Sequence, residues 1–387
     1  MQIRNRYIIN IVKMKKRIEL FFSREDINTG RQLNVDYAKT LAIFFMILVH
    51  TFMYPCYSNL TTGFAEIIYA HLGSYLSAPV FVISMGLGLA FTRFSDSKSI
   101  IKRGVKILIM AFVLNVVRCL IPILLSIVKN DITVFEDEIM RSLLFGDILH
   151  FAGLALITFG LLKKTKLSAL NVFIICLIIN TVMTFVPNIN TDSIIVGSLL
   201  GMIIPVFYCN EIYSWFPLLT WYVFVAFGYL FGLIIRKVKN LDKFYLWSII
   251  IGFILYAIFF VTDEVIFDLT EYKTGYDSTE YYNTIYIVLY TIGSTMTLYG
   301  VFHFLTKFTP KFLDDFCYKT SAAVNEIYII SWLIIFNVFF VIFGMIYPSE
   351  YSLWFYLIAS LIITAISIIL GWKYREYKLK RNTNILK

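Results

Sequence analysis

The chain has 387 residues, of which 59% are hydrophobic and only 15% charged; 34 lysines and arginines against 25 acids give a formal net charge of +9. A soluble chain of this length carries about a quarter charged residues and divides into two or three domains, so the composition excludes that architecture and points to one helical membrane domain. The basic excess does not indicate nucleic acid, because it gathers on alternate connections between apolar runs.

Residues 1–36 form a basic N-terminal segment. Its first part, "MQIRNRYIINIVKMKKRIELFFSRED", lacks the apolar length and small-residue cleavage site of a signal peptide. An amphipathic helix on the cytoplasmic membrane surface and a disordered tail both suit it. Ten apolar spans follow, at roughly 37–57, 75–92, 104–127, 142–162, 167–186, 215–235, 244–262, 283–306, 320–346 and 351–372. Each is near the ~20 residues that cross a bilayer. The acidic connection 128–141, "VKNDITVFEDEIMR", and the acidic, tyrosine-rich 263–282 lie on the side opposite the basic connections. The latter suits carbohydrate contact, and equally an interfacial aromatic belt with a solvated loop. Within 187–214, "SIIVGSLLGMIIPVFYC" is apolar but short and broken by glycines and Pro205, which predicts a re-entrant or interfacial segment.

The segment to Lys39 and residues 93–106, 163–166, 236–243, 307–319 and 373–387 hold 30 of the 34 basic residues. The opposite connections hold Lys129, Arg141 and Lys273, and Arg118 lies inside a span. By the positive-inside rule both termini are cytoplasmic, and the basic charge serves topology and contact with membrane lipids. The expected fold is an all-α, polytopic integral membrane bundle of about ten helices over 37–372, flanked by cytoplasmic segments 1–36 and 373–387. Cys56, Cys119, Cys176, Cys209 and Cys317 show no metal or redox spacing. No disulfide framework is expected, although Cys56 and Cys209 both fall on the outer side. No internal repeat is visible, which weighs against a transporter built from inverted repeats.

Ionisable groups in hydrocarbon are costly and mark functional sites by default. His50, Arg118, Asp147 and His150 fall at similar depth in the outer halves of three spans, with His71 near the outer entrance to the second. Asp147 and His150, three residues apart, are expected on one helix face. An imidazole can take a proton from an attacking hydroxyl or amine. A carboxylate can orient it, and an arginine can stabilise developing negative charge. Arg118 and Asp147 can also be a plain interhelical ion pair. A sparser inner set holds Lys39, His303, Asn325 and Glu326. Lys39 and Lys106 are candidates to receive phosphates, Lys39 being equally a snorkelling lysine at a helix end. Glu326 lies close enough to the interface to reach it. No metal site is expected.

"VDYAKTLAIFFMILVH" (35–50) resembles the opening span of membrane-bound acyltransferases, and "SYLSAPVFVISMGLGLAFTR" (74–93) their second span. "FGDILHFAGLALI" (145–157) and "WFPLLTWYVFVAFGYLFG" (215–232) are similar to the bacterial relatives of heparan-α-glucosaminide N-acetyltransferase. The resemblance implies a ten- or eleven-helix enzyme. Such an enzyme passes an acyl group, usually acetyl, from cytoplasmic acyl-CoA to a glycan or related acceptor across the membrane. It implies the plasma membrane of a bacterium. In the related acyltransferase-3 group an arginine precedes the first-span histidine; here Lys39 and His50 occupy those positions, and lysine lacks the planar fork that grips phosphate bidentately. A later histidine of that group is replaced by Ser331 in "EIYIISW".

The reading is an acyl-CoA-dependent O- or N-acyltransferase acting on a cell-envelope or lipid-linked saccharide. His50 is the base or transient acyl carrier, His150 its partner, Asp147 the orienting group and Arg118 the charge stabiliser, with Lys39 and Lys106 at the donor. Direct transfer and an acyl-histidine relay both stay open. A proton-coupled transporter of a sugar or lipid-linked substrate can use the same residues, and a sensor or scaffold with a degenerate site is a third reading.

Overall fold

The structure, a computed structural model, describes residues 19–53, 76–92, 96–128, 135–184, 189–208, 211–274, 285–349 and 351–385. Cys56, His71, Cys209 and the acidic residues at 129–134 and 275–282 lie outside them.

The helices in chain order are α1 (Leu33–Met53), α2 (Ala78–Phe91), α3 (Ser97–Val128), α4 (Phe135–Leu144), α5 (Ile148–Leu162), α6 (Ala169–Thr184), α7 (Ile194–Gly201), α8 (Leu218–Lys237), α9 (Leu241–Thr274), α10 (Ile285–Leu305), α11 (Lys311–Ala322), α12 (Val324–Ile334) and α13 (Leu353–Ile385). α12 continues as a π-helical stretch, Ile335–Ile346. A helix satisfies its own backbone polar groups, which hydrocarbon cannot do for it. Among the described residues seven stretches are long and apolar enough to cross a membrane: α1, α3, α8, the first part of α9, α10, α12 with its continuation, and α13. The protein is therefore an all-α, multi-span membrane bundle. The other three expected spans correspond to α2, α5 and α6, helices of 14, 15 and 16 residues, shorter than the roughly 20 that cross a bilayer.

Two expected spans are remodelled. The run from 142 to 162 is broken: α4 ends at Leu144 and α5 begins at Ile148. The run from 320 is broken at Ala323, between α11 and α12. The segment 187–214 makes the short α7 and a small sheet of β1 (Ile189–Asn190), β2 (Val206–Tyr208) and β3 (Glu211–Ile212), β1–β2 parallel and β2–β3 antiparallel.

Hydrogen bonds sort the connections onto two ends of the bundle. At the basic end, Ser97 Oγ donates to the Gly160 carbonyl, Arg236 donates to Ala90 O at 2.6 Å, and Asp242 pairs with Lys307 at 2.6 Å. At the other end Gly146 bridges Ser214, and Asn337 Nδ2 donates to Val117 O at 3.2 Å. The N-terminal segment is clasped to the end of α8. The Ser23 N–H donates to Lys237 O at 2.7 Å, those of Ile27 and Asn28 to Arg236 O, and Asn28 Nδ2 to the carbonyls of Ile235 and Val238. The last carbonyls of a helix lack intrahelical partners, and here Ser23, Ile27 and Asn28 supply them.

Three pairs of glycines bring helices into backbone contact. A Cβ on Gly86 of α2 would collide with the Val225 carbonyl of α8, and one on Gly228 with the Ile83 carbonyl. A Cβ on Gly104 of α3 would lie 2.7 Å from the Gly153 carbonyl of α5, and one on Gly293 of α10 2.7 Å from the Gly252 carbonyl of α9. Close approach through small residues is the usual way helices associate in lipid. One apolar cluster joins α2, α5 and α8 around Phe151, Phe224 and Val225; another joins α1, α12 and α13 around Ile47, Trp332 and Tyr356. The candidate site lies where these clusters meet.

Candidate active site

The break before α5 builds the deep part of the site. Where residues 145–147 leave the helical path, Asn115 of α3 donates from Nδ2 to the carbonyls of Leu143 and Phe145, both at 3.0 Å. Asp147 becomes the N-cap of α5: its Oδ1 accepts the Ile148 N–H at 2.6 Å, and its own N–H donates to Nδ1 of His150 at 3.2 Å. This corrects the expectation of a shared helix face. Asp147 stands outside the helix, and the pair meets because a cap and the third helical residue fold together at a helix start. The main chain of Asp147, not its carboxylate, holds the imidazole.

That carboxylate faces three other groups. Besides Ile148, its Oδ2 accepts Arg118 Nη1 of α3 at 3.0 Å and the Tyr328 hydroxyl of α12 at 2.8 Å. Arg118 and Asp147 are both buried. The Arg118 guanidinium lies 4.8 Å from the Trp332 ring centroid and 5.3 Å from that of Phe336. Trp332 packs against His50 of α1, the ring centroids 4.1 Å apart and the planes tilted by 31°. One chain of contacts therefore links His50, Trp332, Arg118, Asp147 and His150.

The two imidazoles differ in what they offer. His150 Nδ1 accepts a main-chain N–H, so the neutral ring carries its proton on Nε2. That Nε2 is buried and meets no hydrogen-bond partner among the described residues, and the same holds for Nδ1 of His50. An unsatisfied buried polar atom costs about 1–3 kcal/mol. Both nitrogens are therefore available to another molecule's polar groups.

A cavity of about 350 Å³ runs from the basic end towards this cluster. Lys39, Thr92, Arg103 and Asn325 line one part of it; Met46, Ile148, Leu149 and Tyr328 line the deep part. His50 lies one turn beyond Met46, and His150 follows Leu149. His50, Arg118, Asp147 and His150 are not among the residues that line the cavity; Tyr328 is, and its hydroxyl donates to Asp147, so the cavity and the cluster meet at this residue. Lys39 Nζ donates to Ser321 O at 3.0 Å.

The inner residues divide. Lys106, expected beside Lys39, instead lines a neighbouring groove of about 950 Å³ between α3, α12 and α13; Arg103, Ile107 and Asn325 line both spaces. His303 belongs elsewhere: it pairs with Asp242 at 2.8 Å and stacks on Tyr245 at 4.4 Å. Glu326 pairs with Lys378 at 3.4 Å and Arg375 at 3.7 Å. Ser331 donates to the Tyr328 carbonyl of its own helix at 2.8 Å. Tyr328, Trp332, Asn115 and Arg103 were not singled out in the sequence. A tyrosine and a tryptophan one turn apart deep in an apolar span, away from the interface such rings prefer, were the available signal for two of them.

The family model for the heparan-alpha-glucosaminide N-acetyltransferase catalytic domain matches residues 31–261. The chain belongs to this family. No curated protein and no solved structure matches it. The heparan-α-glucosaminide N-acetyltransferase match contains Lys39, His50, Arg103, Lys106, Arg118, Asp147 and His150 and ends before α12. Family and multi-span architecture together support a membrane acyltransferase function. Among the described residues no group of three His, Cys, Asp or Glu side chains is placed to hold a metal ion.

Proposed function

We propose that the protein transfers an acyl group, acetyl in keeping with its family, from cytoplasmic acyl-CoA to a saccharide or related acceptor of the cell envelope. The observation that carries this reading is the cavity, which runs from Lys39 and Arg103 to Tyr328, whose hydroxyl donates to the Asp147 carboxylate beside His150. The residues fit such a donor. Lys39 and Arg103 meet phosphates, and Lys106 beyond Arg103 adds positive potential. From Lys39 to His50 along α1 is about 16 Å, a span suited to a slender arm. The donor, when bound, supplies the acyl thioester.

The protein's own groups then act as follows. Apolar walls exclude water, which strengthens every electrostatic interaction inside. His50 accepts, at Nδ1, the proton of the attacking hydroxyl or amine, or carries the acyl group in a relay. His150 donates from Nε2–H to the oxygen on which negative charge grows, the usual task of a preorganised donor. Arg118 counters that charge. Asp147 holds Arg118 through its carboxylate and His150 through its main chain. The basic end faces the cytoplasm with both termini, in the plasma membrane of a bacterium. The test is transfer from labelled acetyl-CoA by the purified protein, joined to mass spectrometry of envelope glycans from cells with and without it. Loss of an acylated glycan together with thioester consumption supports the reading. Sugar uptake into vesicles without acyl-CoA, and no thioester consumption, would instead establish transport.

A further inference from the structure

The groove beside the cavity has an amphiphile's polarity on each of its three helices. On α3, Arg103 and Lys106 give way to Ile107 and Met110; on α12, Glu326 gives way to Ile329, Ile330 and Leu333; on α13, Lys378 and Lys373 give way to Leu370. Each progression runs about 10–12 Å along its helix. Glu326 is already bound to Lys378 and Arg375. Among the described residues Arg103, Lys106 and Lys373 have no ion-pair partner, so the head of the groove keeps a positive excess. Leu370 and Tyr374 are 44% and 55% exposed on the outer side of α13, so the groove opens to the bundle's periphery.

We propose that this groove binds one anionic glycerophospholipid of the surrounding leaflet. Its phosphate rests on Lys106 and Lys373 and an acyl chain lies along Met110, Ile330 and Leu333. Charge complementarity selects an anionic head, since each basic side chain near a membrane surface favours anionic lipid by several-fold. The aliphatic wall selects a lipid over a soluble phosphate ester, whose polar faces would lie against hydrocarbon at a cost. Because Arg103, Ile107 and Asn325 line both spaces, the bound lipid completes the outer wall of the cavity's mouth. The inference concerns binding alone and stands whether or not the protein transfers acyl groups.

The experiment is native mass spectrometry of the detergent-purified protein titrated with dioleoyl phosphatidylglycerol or dioleoyl phosphatidylcholine. The expected result is one saturable phosphatidylglycerol adduct, formed at concentrations at least tenfold lower than any phosphatidylcholine adduct. The exposed double variant Lys106→Gln/Lys373→Gln should lose roughly 10- to 30-fold of that preference. Lys163→Gln/Lys164→Gln, which neutralises a basic connection elsewhere, should keep it. Equal binding of the two lipids, an unchanged preference in the first variant, or the same loss in the second would overturn the proposal. Displacement of the lipid by adenosine 3′,5′-bisphosphate would overturn it too, by giving the groove to a soluble phosphate ligand.

Discussion

His50 and His150 are both imidazoles among apolar side chains, yet the backbone treats them differently, and substitution should reveal it. The Asp147 N–H fixes the tautomer of His150, leaving it a donor. Nothing described fixes His50, which can therefore serve as base. His50→Ala should lower transfer by about 10²–10⁴-fold, and His50→Gln should be no better, because an amide accepts no proton at neutral pH. His150→Gln retains an N–H and should stay within about tenfold of wild type, whereas His150→Ala should not. The His50→Ala/His150→Ala double variant should fall short of the product of the single losses. Labelled-acyl transfer by monodisperse variants reads all of these, and a His50→Gln enzyme of near-native rate would end the base assignment. The buried ion pair has its own test. Arg118→Met strands a carboxylate and should cost about 3–5 kcal/mol, with Arg118→Met/Asp147→Asn recovering part of it, read as unfolding midpoints in detergent. His50, Arg118, Asp147 and His150 were legible because each is a polar interruption of an apolar run. Tyr328 and Trp332 were not, because an aromatic ring with a polar tip reads as one more apolar residue until its neighbours are known.

At the scale of elements, the glycine contacts decide which helices touch. Gly86→Ala or Gly228→Ala puts a methyl group into a facing backbone carbonyl, which a helix can relieve only by moving away. Either change should destabilise the protein by at least the 1–3 kcal/mol typical of overpacking. Gly88, one turn-half along the same helix, has open space around its Cα; Gly88→Ala should be neutral or stabilising by about 0.5–1 kcal/mol from helix propensity. Thermal unfolding of the solubilised variants separates the two cases, and a Gly88→Ala loss equal to that of Gly86→Ala would remove the packing explanation. The positions of the apolar runs were legible from composition. Their internal breaks were less so: "FGD" at 145–147 carries turn residues, but surrounding leucines and isoleucines masked them, and the contacts that hold the break, from Asn115 of α3 and from residues 213–215, join segments far apart in the chain.

For the whole molecule, the alternation of basic connections was legible because it needs only counting, and hydrogen bonds gather those connections at one end. Which end is cytoplasmic is testable with cysteines placed in exposed connections. In intact cells an impermeant maleimide should label Asp192→Cys and not Thr165→Cys; labelling of Thr165→Cys alone would invert the topology. Native Cys317 is no reporter. It is buried, and burial pushes its thiol up to about 11, so it stays protonated and unreactive at neutral pH on whichever side it lies.

The clasp of residues 23–28 on the end of α8 also has a consequence in time. The segment leaves the ribosome about 200 residues before its partner carbonyls. At roughly 5–20 residues per second, that is a wait of about ten to forty seconds. Over that interval α1 to α7 are synthesised while the segment has no α8 to hold. The join closes only after α8 has been made, so a segment synthesised before α1 is among the later parts to be fastened.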